Sequence, residues 1–273
     1  MNCFSPKLVP DPRYKGEGIT MFVPCRKCVP CIKRYVNEWT ARLVDETLYS
    51  TGLSLFITLT YEVEPPEYSK LHTHSYLKSI RNEYPTNRFK YFLVGERGTL
   101  SSRRHYHLIL YSDIDISRSE TYLQFLQGAW SHGFSKIAPV SPKTCAYVAK
   151  YITPINDGDK FLFMSRGLGC KRVSPEMVES YSSRPRHYYV SNGYKKPLPR
   201  FYKRKLAEHA IVFPTYNEKL LRKQLSQLED YRIDWDSYDT NQLLAHRDSY
   251  RLQQQQIATE TFVRSLSEKQ SQI

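Results

Sequence analysis

Residues 105–112, His-Tyr-His-Leu-Ile-Leu-Tyr-Ser, constrain the fold more than any other stretch. In an extended strand, side chains two apart share a face. His105 and His107 then lie beside Ile109 and Tyr111, while Tyr106, Leu108 and Leu110 take the opposite face and pack on helices. Residues 89–96 (FKYFLVGE) read as a second strand, joined to the first by RGTLSSRR, a connection suited to a β-hairpin. Pairing of the two brings the Glu96 carboxylate beside the two imidazoles.

The remaining pattern supplies the layers. Residues 53–61 (LSLFITLTY) read as a buried strand and 133–140 as a further strand. Helices are expected over 34–50, where Val36, Trp39, Leu43, Val44 and Leu48 form one stripe, and over 70–84, 118–131 and 143–153, the last stopped by Pro154. Residues 155–186 have no clear pattern. Residues 187–202 read as a hairpin turned at Asn192-Gly193. The expected fold class is α+β: a central antiparallel sheet flanked by helices. Residues 1–33 read as an irregular Cys-rich segment, 34–214 as the main domain, and 215–273 as a helical tail with a polar, Gln-rich end.

The charge balance bears on partners. Residues 215–273 hold eight Lys/Arg against nine Asp/Glu, which leaves 32 basic and 18 acidic groups in residues 1–214. Positive charge interleaved with aromatic side chains, 22 of them Tyr, suits a polyanion with stackable bases. No apolar run approaches a membrane span, and the first residues lack the apolar core of a signal peptide. A cytoplasmic chain with reduced cysteines is expected.

Two imidazoles and one carboxylate with open coordination positions suit Mg²⁺ or Mn²⁺ in phosphate chemistry, so His105, His107 and Glu96 are the candidate ligands. Alone, His-x-His more often marks a solvated strand face; its force comes from residues 147–151, Tyr-Val-Ala-Lys-Tyr. On a helix, Tyr147 and Tyr151 lie one turn apart on one face, and Lys150 lies beside them. A phenol ionises near pH ~10 and attacks phosphorus only when its oxygen is assisted. The ammonium and a metal-polarised phosphate supply that assistance. The attack leaves a 5′-phosphotyrosine and a free 3′-hydroxyl, and rejoining needs no ATP. The sequence accordingly contains no G-x-x-x-x-G-K-[ST] loop.

Cys25, Cys28 and Cys31 have metal-ligand spacing, and Cys3 offers a fourth thiolate. Structural zinc, an iron–sulfur cluster and plain reduced thiols are all open on the sequence alone. Cys145 and Cys170 are isolated. Arg103 and Arg104 before the histidines, Lys171 and Arg172 after Gly167 and Gly169, and the basic stretch from Lys195 to Lys205 are candidate phosphate contacts.

The order of motifs, Thr-Leu-Thr-Tyr (58–61), His105-Tyr106-His107 and Tyr147-Val-Ala-Lys-Tyr151, resembles that of the HUH endonucleases, the rolling-circle replication initiators. The paired tyrosines resemble the two-tyrosine class. The Cys25-x-x-Cys28-x-x-Cys31 segment and Gly95-Glu96 are similar to those of microvirus replication-initiation proteins, especially the gokushovirus branch. The resemblance spans about residues 1–200 and implies a Rep-like fold. It implies metal ligation by His105, His107 and Glu96, nucleophiles at Tyr147 and Tyr151, and charge support from Lys150. Origin DNA, single-stranded DNA and a host helicase are the implied partners, in the cytoplasm of a bacterial host. Tyr106 stands where such proteins usually carry an aliphatic residue. Tyr147 and Lys150 also satisfy the Tyr-x-x-Lys pattern of some single-tyrosine initiators, so both nucleophile schemes stand. The same chemistry fits an HUH transposase or relaxase, and a non-catalytic zinc-stabilised nucleic-acid binder is a further alternative.

Overall fold

The computed structural model describes residues 3–10, 20–98, 103–115, 117, 119–152, 161–191 and 193–213. The expected tail (215–273), Pro154 and Asn192 of the predicted turn lie outside these residues. The chain divides into two compact units, whose described parts fall within 1–35 and 36–213.

In the first unit, β1 (Lys7–Pro10) pairs antiparallel with β2 (Thr20–Val23), with Lys7 opposite Val23 and Pro10 opposite Thr20. The expectation of an irregular segment is therefore corrected for these two short strands. Helix α1 runs from Val29 to Leu48, starting five residues before the predicted 34. Pro30, which looks like a helix stop, sits in the first turn, where no intrahelical N–H bond is lost.

In the second unit, β3 (Ser54–Tyr61), β4 (Phe89–Arg97), β5 (Arg104–Ser112), β6 (Gly133–Pro139) and β7 (Leu162–Met164) form one sheet in the order β6-β3-β5-β4-β7. Every pairing in it is antiparallel. Strand β5 is central, and the period-two division of its side chains holds. Tyr106, Leu108 and Leu110 join Leu55, Ile57 and Leu59 of β3 in one core with α2 (Lys70–Glu83) and α3 (Ser119–Gly128). Tyr76, Leu77 and Ile80 of α2 and Tyr122 and Leu126 of α3 cover that face. Ile109 and Tyr111 join Phe92 and Val94 in a second core beneath Trp39 and Leu43 of α1 and Cys145, Val148 and Ala149 of α4 (Pro142–Ala149). The α+β expectation of a central antiparallel sheet flanked by helices is met.

Tyr106 has a structural reason to be aromatic. Its fully buried phenol oxygen accepts from the Ser69 amide at 2.8 Å and lies 2.9 Å from the Tyr61 hydroxyl. An aliphatic residue would leave the Ser69 donor without this partner. Ser69 is itself the N-cap of α2, its hydroxyl accepting from the His72 amide.

The region without a clear pattern holds β7 and α5 (Pro175–Ser183). The predicted hairpin over 187–202 is shorter than expected. Strands β8 (Tyr188–Ser191) and β9 (Tyr194–Pro197) pair, and α6 (Arg200–Ala207) follows. Tyr202 and Leu206, four apart, are both fully buried, so helical spacing places both in a third core with Tyr181, Tyr189 and Leu198. The abundance of Lys and Arg there hides this short apolar stripe.

Candidate active site

The β4–β5 register sets Glu96 opposite His105 and Val94 opposite His107. Both histidines therefore stand on the α1/α4 side of the sheet, with the carboxylate alongside. Glu96 Oε2 lies 2.8 Å from His107 Nε2 and 3.6 Å from His105 Nε2, and the two Nε2 atoms are 3.1 Å apart. Glu96 is 7% exposed and His107 is 6% exposed, so few waters compete for these atoms.

The far side of each ring is held as well. His105 Nδ1 is 3.2 Å from the Arg103 carbonyl, which can only accept, so the proton sits on Nδ1 and Nε2 offers its lone pair. His107 Nδ1 is 3.2 Å from Thr58 Oγ1, across the β3–β5 pair in which Thr58 faces His107. Phe56 stacks on His107 at 5.2 Å between centroids, and Tyr147 meets its edge at 5.2 Å. These contacts leave the imidazole little room to rotate. Metal-binding histidines ordinarily have such partners on the second nitrogen.

Helix α4 delivers the tyrosines. Its capping box closes on itself: Ser141 Oγ accepts from the Thr144 amide at 3.2 Å, and Thr144 Oγ1 accepts from the Ser141 amide at 2.9 Å. The expected helix over 143–153 gives way after Ala149 to a tighter turn over Lys150–Ile152. Tyr147 still reaches the ligand set, its hydroxyl donating to Glu96 Oε2 at 2.5 Å. Tyr151 also hydrogen-bonds Glu96 and Tyr147, and the two phenol rings meet edge to face at 5.4 Å. Lys150 Nζ lies 5.4 Å from the centre of the Tyr147 ring. The structure thus gathers Glu96, His105, His107, Tyr147, Lys150 and Tyr151 in one place.

The electrostatics follow from burial and these bonds. Burial alone would raise the Glu96 carboxyl, but donation from His105, His107, Tyr147 and Tyr151 outweighs it and holds Glu96 well below the usual range. Burial lowers His107 in spite of Glu96, which favours the neutral ligand form. Tyr147 and Tyr151 are both pushed up, by burial first and by the Glu96 charge next. Both phenols are therefore protonated at neutral pH.

The donor set fits a hard divalent ion. Ligand atoms about 2.1 Å from one ion at right angles stand about 3.0 Å apart, and the three separations here are 2.8, 3.1 and 3.6 Å. Among the described residues, Glu96–His105–His107 and Cys3–Cys25–Cys28–Cys31 are the groups that converge as metal ligands.

Gly95 allows the carboxylate to be where it is. A Cβ there would stand 2.7 Å from Tyr68 Cε1 and 2.8 Å from Phe161 Cβ, inside contact distance. Sequence reading left three contributors without a role: Thr58 and the Arg103 carbonyl, which orient the rings, and Phe56, which packs on one. Thr58 is legible once β3 and β5 are paired, because it shares the histidines' face. A backbone carbonyl leaves no sequence signal.

The basic residues considered for DNA are not brought to the triad. Arg103 donates to the carbonyls of Tyr61 and Glu62 at 2.9 and 2.7 Å. Arg104 is buried and pairs with Glu64 at 2.8 Å. Arg172 pairs with Asp45 of α1 at 2.7 Å, and Lys171 lies 3.4 Å from the Tyr49 carbonyl. The Gly167–Gly169 segment turns toward α1: the Gly169 amide donates to Glu46 at 2.6 Å, with φ +79° and no space for a Cβ beside Tyr202 and Arg42.

Comparison with known proteins gives concordant results. The family model described as replication-associated protein ORF2 matches residues 54–155. The chain is 23% identical to the replication-associated protein VP4 of Bdellovibrio phage phiMH2K, over 83% of this chain and 81% of the relative. It is 26% identical to the replication-associated protein ORF2 of Spiroplasma virus 4, over 67% of each chain. It is 24% identical to the replication-associated protein ORF4 of Chlamydia phage 1, over 82% of this chain and 64% of the relative. No solved structure matches. Through residues 54–155, which carry Glu96, both histidines and both tyrosines, the chain belongs to the family of replication-associated protein ORF2, and its relatives are replication-associated proteins of small phages.

Proposed function

We propose that this chain is a metal-dependent nicking-joining endonuclease that initiates rolling-circle replication of a single-stranded DNA phage. One observation carries the reading: the Tyr147 hydroxyl is bonded at 2.5 Å to the same Glu96 oxygen that stands 2.8 Å from His107 Nε2. A candidate nucleophile and a candidate metal ligand set share an atom. Mg²⁺ or Mn²⁺ held by Glu96, His105 and His107 would polarise the scissile phosphate and offset charge on its oxygens.

The chain's own groups do the rest. The Tyr147 O–H points at Glu96 Oε2, so its proton has an acceptor in place as the phenol oxygen turns to phosphorus. The new O–P bond forms as the bond to the departing 3′-oxygen breaks, and that oxygen leaves as a 3′-hydroxyl after taking up a proton. The product is a 5′-phosphotyrosine. Attack of a 3′-hydroxyl on it restores a phosphodiester and the phenol. Lys150 places positive charge beside the reacting oxygen. Tyr151, within hydrogen-bonding reach of the same carboxylate, is the second nucleophile when one strand end is exchanged for another.

DNA is drawn by the excess of basic groups in residues 1–214, 32 against 18 acidic. Arg103, Arg104, Lys171 and Arg172 add to that field, Arg104 and Arg172 from within ion pairs. No helix among the described residues is long and apolar enough to cross a membrane. The reaction belongs in the host cytoplasm, with a host helicase to open the duplex.

The test is cleavage of a single-stranded origin oligonucleotide with Mn²⁺, followed by mass spectrometry of the DNA-linked peptide. The expected peptide carries the adduct on Tyr147 or Tyr151. Undiminished cleavage and adduct in the double Tyr147→Phe, Tyr151→Phe variant would refute the reading.

A further inference from the structure

The thiol cluster of the first unit takes no part in that chemistry. The β1–β2 register, Lys7 opposite Val23, when continued outward sets Cys3 opposite Lys27, between Cys25 and Cys28. Cys31 follows one turn into α1. Hairpin and helix start thereby bring four sulfurs within 4.8 Å of one another. All four are free thiols, with Cys28 and Cys31 buried.

We propose that Cys3, Cys25, Cys28 and Cys31 hold one zinc ion, which fastens the open end of the β1–β2 hairpin to the first turn of α1. Four thiolates about 2.3 Å from a single zinc stand about 3.8 Å apart. The Cys25–Cys31 and Cys3–Cys28 sulfurs are 4.0 and 3.8 Å apart. An iron–sulfur cluster spreads its thiolates over several metal atoms and holds them farther from one another.

The backbone is arranged for the same sulfurs. The amides of Lys27 and Cys28 both donate to Cys25 Sγ, at 3.4 and 3.3 Å, and the Cys25 amide donates to Cys3 Sγ at 3.2 Å. Such bonds stabilise thiolates over thiols. Arg26, between the first two cysteines, has φ +65°, a conformation a residue with a Cβ adopts only at a cost. That turn points the Lys27 and Cys28 amides at Cys25 Sγ. Soft sulfur ligands select zinc over the hard ion suited to Glu96 and the histidines. Cys145 and Cys170 stand apart from the group.

The experiment takes the full chain, purified without chelators, and measures zinc, iron and acid-labile sulfide. The apoprotein is then refilled with Co²⁺ as a spectroscopic probe. The expected result is about one zinc per chain without sulfide. Cobalt should give the strong d–d and thiolate charge-transfer bands of a tetrahedral tetrathiolate site. The zinc should persist in the His105→Ala, His107→Ala variant and in Cys145→Ser, and should be lost in Cys28→Ser, with a fall in melting temperature. Should Cys28→Ser fail to fold, the cobalt spectrum of the unaltered chain decides alone. Iron with sulfide, a cobalt spectrum without thiolate bands, or zinc retained in Cys28→Ser would each overturn the proposal. None of these outcomes bears on DNA cleavage, so the two readings fail separately.

Discussion

On one face of β5, Tyr106 joins Tyr61, Trp130, His72 and His132, and on the other, two residues of the same strand join Glu96, Tyr147 and Tyr151. The two groups draw on the same residue types. In the first, His72 and His132 stack at 3.8 Å, and Tyr61 bonds both His72 and Tyr106 through its hydroxyl. In the second, the imidazole Nε2 atoms converge on a carboxylate. The first group satisfies itself and closes a core; the second leaves lone pairs aimed at a common point. Histidines and tyrosines alone do not make a site. The carboxylate and the direction of the free nitrogens separate chemistry from packing.

The largest effect that sharpens this contrast is expected from Tyr147→Phe. The ring stays and its packing on His107 with it, while initial cleavage falls by at least about 10³-fold in an oligonucleotide assay. Near-normal cleavage with the adduct on Tyr151 would show that the bond to Glu96 does not select the first nucleophile. Glu96→Gln keeps the shape and removes the charge. Cleavage should fall by about 10²-fold and recover in part at high Mn²⁺. If the rate and the metal dependence are both unchanged, the carboxylate is no ligand.

On the opposite face, Tyr106→Phe strips the Ser69 amide of its partner. Stability should fall by about 1–3 kcal/mol in denaturant melts, with cleavage below the melting point unchanged. A selective loss of cleavage would dissolve the distinction between the faces. The smallest effect concerns acid. His72 is held below its ordinary range by burial and then by the charge of His132. Below about pH 6.5 the unfolded chain binds the proton first, so stability falls with pH. In His72→Gln that part of the slope should vanish from melting temperatures measured between neutral and mildly acid pH. An unaltered slope would mean the ring is not desolvated.

Much of the catalytic face is legible in the sequence, because period two and period 3.6 are geometric facts. His105 and His107 must share a side, Tyr147 and Tyr151 must be near neighbours on a helix, and a β4–β5 hairpin sets Glu96 opposite His105. What sequence does not disclose is long-range commitment. Arg104 and Arg172 read as solvent-facing cations, yet each is paired with an acid distant in sequence, Glu64 and Asp45. Asp45 and Glu46 lie within the helical stripe pattern of α1 and are buried through partners more than 40 residues away, Arg172 and Lys90. The short strands β1 and β2 and the helix α6 escape because four to eight residues give too little periodicity to stand above composition.

The central position of β5 carries a further consequence. Both of its edges are locked in ladders, to β3 and to β4, and both of its surfaces are covered. Deleting a single residue upstream of Ile109 would turn the imidazoles into the wrong layer, so this strand should be the least tolerant of length change in the chain. Its amides should also be among the last to exchange with deuterium, opening only when the whole domain does.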